Sequence, residues 1–143
     1  KKILFIIVGD GPLYKNLRNK INEIKDINIE MIGLVDSLSQ TNFYDKIDLL
    51  IRGDKSFRTG RTVFESLYEG KSVLIPQEKN IKIKEPQLYE FKEIVFLYKA
   101  RNEKSFLKEF DSFVQSHKNI IRKKKRSNFV QYENALFNVY NGV

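Results

Sequence analysis

The segment spanning residues 48–76 limits the fold of this chain more than any other. It opens with the short apolar run Leu49–Ile51, which predicts a buried strand because it is brief, rich in leucine and isoleucine, and bounded by charge. A basic loop containing glycine follows. From Thr62 apolar residues recur at helical spacing until Gly70, and the apolar run at 73–75 predicts another strand. The segment is therefore a strand–loop–helix–strand unit.

Such a unit places its loop at the carboxyl edge of a parallel sheet, where helix N-terminal amides and the helix dipole favour an anion. Phosphate is therefore the first ligand to consider. Four basic residues recur every three positions through the loop: Arg52, Lys55, Arg58 and Arg61. If they converge, they supply the positive charge that a metal would otherwise provide against a diphosphate. A solvated loop with scattered charge is the alternative.

Strand and helix patterns alternate along the rest of the chain. Strands are predicted at residues 3–8, 28–32 and 94–97. Helices are predicted at 13–24, at 38–44 with Asp36 or Ser37 as the cap, near Tyr89, from Glu103 onward and at 129–140. This order predicts an α/β fold, a Rossmann-like three-layer domain with a mainly parallel sheet of about five strands and C-terminal helices.

Composition limits the chemistry that the chain can carry. With no cysteine and a single histidine, His117, it has no disulfide framework, thiolate metal site or histidine-rich zinc site. We therefore expect metal-independent chemistry in a reducing, cytoplasmic setting, with His117 acting on a helix end through its charge. Asp10, in Gly-Asp-Gly-Pro, suits either a turn or a ligand contact, and the turn is favoured.

The length and the ends of the sequence bear on domain organisation. At 143 residues with 41% hydrophobic residues, the chain can bury one core, so residues 1–143 are expected to form a single domain. It begins at Lys1 and enters a strand almost at once, as expected of a domain excised from a longer two-domain protein. It contains neither a stretch of membrane-spanning length nor a signal peptide, so we expect it to be soluble.

The net charge of +8 predicts attraction to polyanions, whether nucleic acid, an anionic membrane face or a phosphorylated small molecule. No nucleic-acid reading element accompanies the charge, so nucleic acid is not the expected partner. The basic block at 122–126 is interpreted as a solvated helix or turn, or as a contact to anionic lipid at the inner face of the membrane.

Three phrases of the sequence resemble a known family. They are F-I-I-V-G-D-G-P-L at 5–13, I-E-M-I-G-L-V at 29–35, and G-R-T-V-F-E-S-L-Y-E-G-K-S-V-L-I-P at 60–76. In this order they are similar to the carboxyl-terminal, donor-binding domain of retaining glycosyltransferases with the GT-B fold. The stretch 131–140 is similar to the last helix of that domain, so the resemblance spans nearly the whole chain.

The resemblance implies roles for individual residues. Main-chain amides at a helix start would hold the donor diphosphate, and they match Gly60, Arg61, Thr62 and Val63, with Arg58 as a further phosphate contact. Glu65 would accept hydrogen bonds from the ribose hydroxyls, and Leu34 and Val35 would flank the nucleobase. From the residues alone Glu65 has another interpretation, because Thr62-x-x-Glu65 is also a capping box.

The chain departs from the family pattern in several places. The glutamate that usually lies eight positions before Glu65 and holds the donor sugar is Phe57, and Asp54 is a weak substitute. An arginine and a lysine that neutralise the diphosphate in many members would precede Lys1. The usual proline after the glycine–lysine pair is Ser72, and a loop at 77–80 replaces the glycine-containing donor loop. No sugar-binding residue is therefore assigned.

The resemblance implies a donor-binding domain that moves a sugar from a nucleoside diphosphate sugar to a saccharide or lipid-linked acceptor during surface polysaccharide assembly. The other, N-terminal acceptor-binding domain would be missing, so the isolated chain is expected to be inactive. Two alternatives remain. Phe57 favours a domain that binds a nucleotide sugar or a partner without catalysis, and the net charge alone favours a nucleic-acid-binding α/β module.

Overall fold

Every strand in the described residues pairs in parallel with its neighbour, as the alternation of strand and helix patterns predicts. The computed structural model describes residues 3–35, 42–53, 59–77 and 86–117. The strands are β1 (Leu4–Val8), β2 (Asn28–Gly33), β3 (Leu49–Ile51), β4 (Ser72–Gln77) and β5 (Val95–Lys99). The helices are α1 (Tyr14–Asn22), α2 (Arg61–Tyr68) and α3 (Glu103–Ser116), with 3₁₀ helices at Phe43–Lys46 and Pro86–Phe91.

The strands form two sheets, which corrects the expectation of one sheet of about five strands. β1 and β2 make a two-stranded sheet, and β3, β4 and β5 make a three-stranded sheet with β4 in the middle. The chain divides into two compact units, residues 1–41 and 42–143, and each sheet belongs to one of them. Apolar runs predict strands, but they do not show which strands pair, because pairing depends on contacts distant in sequence. The single domain stays a prediction.

The first unit is a strand–helix–strand motif. Phe5 pairs with Ile29 and Ile7 with Met31 along the two strands, and the register shifts after Ile7. The turn after β1 is tied to the end of β2, because the Gly9 amide donates to the Gly33 carbonyl at 2.6 Å. Gly33 has φ +72°, a conformation that favours glycine, and it ends β2 as predicted.

The second unit contains the strand–loop–helix–strand segment at residues 48–76. β3 and α2 follow each other as predicted, and β4 extends on both sides of the predicted strand. One face of the sheet packs against α2 and the 3₁₀ helix at Pro86–Phe91. The buried core there consists of Val63, Phe64, Leu67, Val73, Ile75, Leu88, Phe91, Val95 and Leu97. This burial fixes α2 against the sheet and thereby places its N-terminus.

The opposite face of the same sheet packs against α3. Alternate side chains of a strand point to opposite faces, so Phe96 and Tyr98 lie on the face away from Val95 and Leu97. The Phe96 ring makes an edge contact with Phe113, and Tyr98 makes one with Phe106. The second unit therefore has helix, sheet and helix layers, in agreement with a three-layer α/β arrangement.

Several sequence predictions fall on residues outside the described ranges. These are the helix start at 36–41, the loop residues Asp54, Lys55, Phe57 and Arg58, the loop at 78–80, the basic block at 122–126 and the last helix at 129–140. Where the chain is described again at Asn42, a 3₁₀ helix covers Phe43–Lys46. In the ranges that the structure covers, no helix is both long and apolar enough to cross a membrane.

One buried polar group in α2 leads to a stability prediction. Ser66 is completely buried, and its hydroxyl has no hydrogen-bond partner in the described part of the chain. Burying an unpaired hydroxyl costs free energy, and alanine forms helix better than serine. Ser66→Ala should therefore raise the free energy of unfolding by about 1 kcal/mol, measured by urea denaturation.

Ser112→Ala is the matched control, because the Ser112 hydroxyl is exposed and donates to the Lys108 carbonyl at 3.0 Å. Its effect should stay within about 0.5 kcal/mol. A loss of stability in Ser66→Ala would show that the hydroxyl has a partner in the folded protein.

Candidate functional site

The candidate site is the turn of chain that enters α2. Gly60 is the N-cap of this helix, in extended conformation with φ −84° and ψ 163°, so the helix begins one residue earlier than predicted. Gly60 has no side chain that could cap the helix, and the first turn of α2 contains no acidic residue. Arg61 and Thr62, which follow, are both exposed, whereas the Val63 side chain lies in the core. The helix therefore presents its positive end without a carboxylate in its first turn.

The Val63 amide is already engaged. It donates to the Gly60 carbonyl at 3.0 Å, closing a tight first turn. A ligand at this end of α2 would therefore meet the exposed residues Arg61 and Thr62 before the buried Val63. The four residues predicted to hold a diphosphate are together in space, and their role stays a prediction. Arg58 lies outside the described residues.

Arg52 lies directly against the helix start. A methyl group added at Gly60 would lie 3.0 Å from Arg52 Nη1 and 3.4 Å from its Cζ. The main chain of Arg52 is held on both sides, because its amide donates to the Leu74 carbonyl at 3.0 Å and its carbonyl accepts from Tyr98 Oη at 2.8 Å. The guanidinium thus reaches Gly60 from a backbone tied to β4 and β5. Two of the four basic residues predicted to converge, Arg52 and Arg61, lie in the described ranges. Both are next to the start of α2.

Glu65 is buried one turn into α2 and forms two hydrogen bonds to side chains. Tyr44 Oη donates to Glu65 Oε2 at 2.7 Å, and Arg61 Nε donates to Glu65 Oε1 at 2.5 Å. The Arg61 side chain is 73% exposed and that of Glu65 only 4%. The carboxylate is therefore held between a buried phenol and an exposed guanidinium.

The capping-box interpretation of Glu65 is wrong. Gly60 rather than Thr62 is the N-cap, and Thr62 is the second residue of the helix. The carboxylate also has two stronger donors in Tyr44 and Arg61, one of them charged. The contact to ribose hydroxyls stays a prediction. It has one added condition, because Arg61 already holds Glu65 Oε1 in this structure.

Tyr44 is the site residue that the sequence did not indicate. It lies on the 3₁₀ helix at Phe43–Lys46, is 2% exposed, and is 21 positions from Glu65. Its hydroxyl also lies 3.4 Å from the Thr62 carbonyl. Burial, followed by the hydrogen bond to Glu65 and the negative charge of that carboxylate, raises the pKa of the Tyr44 phenol far above its usual range. Tyr44 is therefore a neutral hydrogen-bond donor at physiological pH.

The remaining predicted residues belong to other elements of the chain. Leu34 and Val35 follow the Gly33 turn in the first unit, and Leu34 is strongly exposed. Asp10 is exposed in the turn between β1 and α1, in agreement with the turn interpretation. His117 is the C-cap of α3, as predicted, and its Nε2 lies 3.6 Å from Asp48 Oδ1.

In the described ranges, no three or more acidic, histidine or cysteine side chains are grouped to hold a metal ion. The expectation of metal-independent chemistry stays a prediction. The cations near the start of α2 are instead Arg52 and Arg61.

No protein-family model, curated protein or solved structure matches this chain, so the resemblance to glycosyltransferases depends on the sequence phrases alone.

Proposed function

We propose that this chain is the donor-nucleotide-binding part of a retaining glycosyltransferase of the GT-B type. It would bind a nucleoside diphosphate sugar and, with an acceptor-binding domain, transfer the sugar to a saccharide or lipid-linked acceptor in surface polysaccharide assembly. The observation that carries the proposal is the start of α2. There Gly60 opens the helix, the Arg52 guanidinium packs on it, and Arg61 and Thr62 are exposed.

The electrostatics of this corner suit a diphosphate. A helix N-terminus carries roughly half a positive charge. Arg52 adds a full charge beside it, and Arg61 carries a second charge that is paired with Glu65 in this structure. The first turn of α2 has no acidic residue that would repel an anion. Guanidinium groups also present paired N–H donors that match phosphate oxygens.

These groups can also assist the reaction itself. When the sugar leaves, negative charge develops on the β-phosphate oxygen of the departing nucleoside diphosphate. Fixed main-chain dipoles and guanidinium groups stabilise that charge without moving a proton. Hydrogen bonds to Leu74 and Tyr98 fix the main chain of Arg52, and its guanidinium packs against Gly60. The proposal therefore needs no general base from this chain.

A second candidate is a domain that binds a nucleotide sugar without catalysing transfer. Phe57 favours it, because a phenyl ring cannot replace the carboxylate that the family uses to hold the donor sugar. Both candidates require diphosphate binding at α2. They differ in whether transfer occurs once the acceptor-binding domain is supplied.

Isothermal titration of the 143-residue chain with UDP, ADP, GDP and CDP, and with a single-stranded oligonucleotide, tests the proposal. We expect saturable binding of at least one nucleoside diphosphate, lost in Gly60→Pro and weakened in Arg61→Ala. Tight, salt-sensitive oligonucleotide binding with no diphosphate binding would overturn it and support a nucleic-acid-binding module instead.

A gentler change at Gly60 gives a sharper prediction. In Gly60→Ala the new methyl group would contact the Arg52 guanidinium at 3.0 Å and displace it, while the backbone conformation suits any residue. We expect nucleoside diphosphate affinity to fall about three- to tenfold, with a stability loss of about 1 kcal/mol or less. Calorimetric titration and urea denaturation measure the two effects.

Gly53→Ala is the matched control. Gly53 directly follows Arg52, and a methyl group there would meet no atom of the described residues within 4 Å. The control should therefore bind nucleoside diphosphates like the unmodified chain. Equal affinity in both alanine variants would show that Arg52 does not contribute to binding.

A further inference from the structure

The Arg61–Glu65 pair points away from the helix start. The two residues are one helical turn apart, and Arg61 Nε bonds to Glu65 Oε1. One turn corresponds to about 5.4 Å along the axis. In this position the Arg61 side chain is drawn along α2 toward its C-terminus, whereas an anion at the helix N-terminus would lie at the opposite end.

The two oxygens of Glu65 have different partners. Oε2 is held by Tyr44, which is buried, so this bond is protected from water. Oε1 is held by Arg61, whose side chain is 73% exposed. An exposed side chain can change its partner at little cost, because water replaces the contacts that it leaves. Oε1 is therefore the exchangeable oxygen of this carboxylate, and Oε2 is the fixed one.

We propose that Arg61 leaves Glu65 Oε1 for the diphosphate when a nucleoside diphosphate binds, and that a sugar hydroxyl of the nucleoside takes its place on Oε1. This proposal rests on the function proposed above. The exchange keeps every charge paired: the guanidinium moves from a carboxylate to a phosphate, and a neutral hydroxyl donor then satisfies the buried carboxylate. Tyr44 is the positioning residue that holds the carboxylate during the exchange.

The exchange makes ligand preference depend on both parts of the ligand. Inorganic pyrophosphate can attract Arg61, but it brings no hydroxyl donor to Glu65 and leaves a buried carboxylate short of a partner. A nucleoside diphosphate brings both. Glu65 should therefore weaken the binding of pyrophosphate and strengthen the binding of a ribonucleoside diphosphate.

Glu65→Gln tests this inference through two effects of opposite sign. Without the carboxylate, Arg61 is released, so pyrophosphate affinity should rise about two- to fivefold. Affinity for the tightest of UDP, ADP, GDP and CDP should instead fall about tenfold, because the sugar hydroxyl loses a charged acceptor. A variant that is merely misfolded loses both ligands, so it cannot produce the crossed result. Calorimetric titration measures both affinities.

Controls keep the two proposals separable. Glu93→Gln makes the same charge change at an exposed turn and should alter neither affinity. If Glu65→Gln does not fold, Arg61→Gln replaces it: both ligands should weaken by similar factors, because each loses the guanidinium and Glu65 Oε1 is open before either ligand arrives. Folded Glu65→Gln that weakens both ligands equally, or Arg61→Gln that weakens neither ligand, would overturn the exchange alone. An unmodified chain that binds no nucleoside diphosphate would overturn the proposed function.

Discussion

Replacing Leu67 with alanine should lower the free energy of unfolding by about 2–5 kcal/mol. Leu67 is 1% exposed and lies in the core cluster between α2 and the sheet, with Val63, Val73 and Leu88. Truncation removes apolar contact area and leaves a cavity that the surrounding strands fill only in part. Since a domain of ordinary stability has about 5–15 kcal/mol in total, this single change removes a large share of it.

Urea denaturation followed by near-ultraviolet circular dichroism of the tyrosines measures the effect. Leu107→Ala is the control, because Leu107 is also helical but is 49% exposed on α3. The control should cost about 1 kcal/mol or less. Equal losses in the two variants would mean that α2 is not anchored by this core, and the placement of its N-terminus would lose its physical basis.

The same burial explains why α2 and the strand before it could be predicted from the sequence. The apolar run Leu49–Ile51 gave a strand with the correct bounds, and the spacing of Val63, Phe64 and Leu67 gave a helix correct to within one residue at its start. Both patterns record local burial, and local burial is what periodicity detects. The strand β4 was predicted only at its apolar run, residues 73–75, and the structure extends it at both ends. In the structure β4 continues through Pro76, which pairs with Tyr98.

The sequence patterns did not indicate contacts between residues that are far apart in the chain. The grouping of the strands into two sheets depends on which strand edges meet, and an apolar run carries no record of its partner. The contact from Tyr44 to Glu65 spans 21 positions, and the contact from Tyr98 to the Arg52 carbonyl spans 46. The sequence places Glu65 three positions after Thr62, and this spacing suggests a local cap. Only the fold brings a buried phenol to the carboxylate instead.

The stability of the protein should fall steeply above about pH 10, and Tyr44 should account for a separable part of the fall. The raised pKa means that the folded state keeps the Tyr44 proton while the unfolded chain releases it near the ordinary tyrosine pKa. The sign follows from this difference. The stabilisation is fully present below the unfolded pKa, and it is lost as pH rises toward the folded pKa, by about 1.4 kcal/mol per pH unit for one group.

Urea denaturation at about pH 9 and about pH 11, on the unmodified chain, Tyr44→Phe and Tyr89→Phe, isolates this contribution. Tyr44→Phe should be less stable at neutral pH by about 1–3 kcal/mol, because Glu65 loses a donor, yet it should lose less stability on going to high pH. Tyr89 is exposed, so Tyr89→Phe should follow the unmodified chain at both values. Tyrosinate absorbance gives a second measurement, because the Tyr44 phenol should ionise only with unfolding. Parallel pH profiles for all three proteins would mean that water reaches the phenol and the Tyr44–Glu65 bond is not buried. The carboxylate would then lack the fixed oxygen on which the exchange at Arg61 depends.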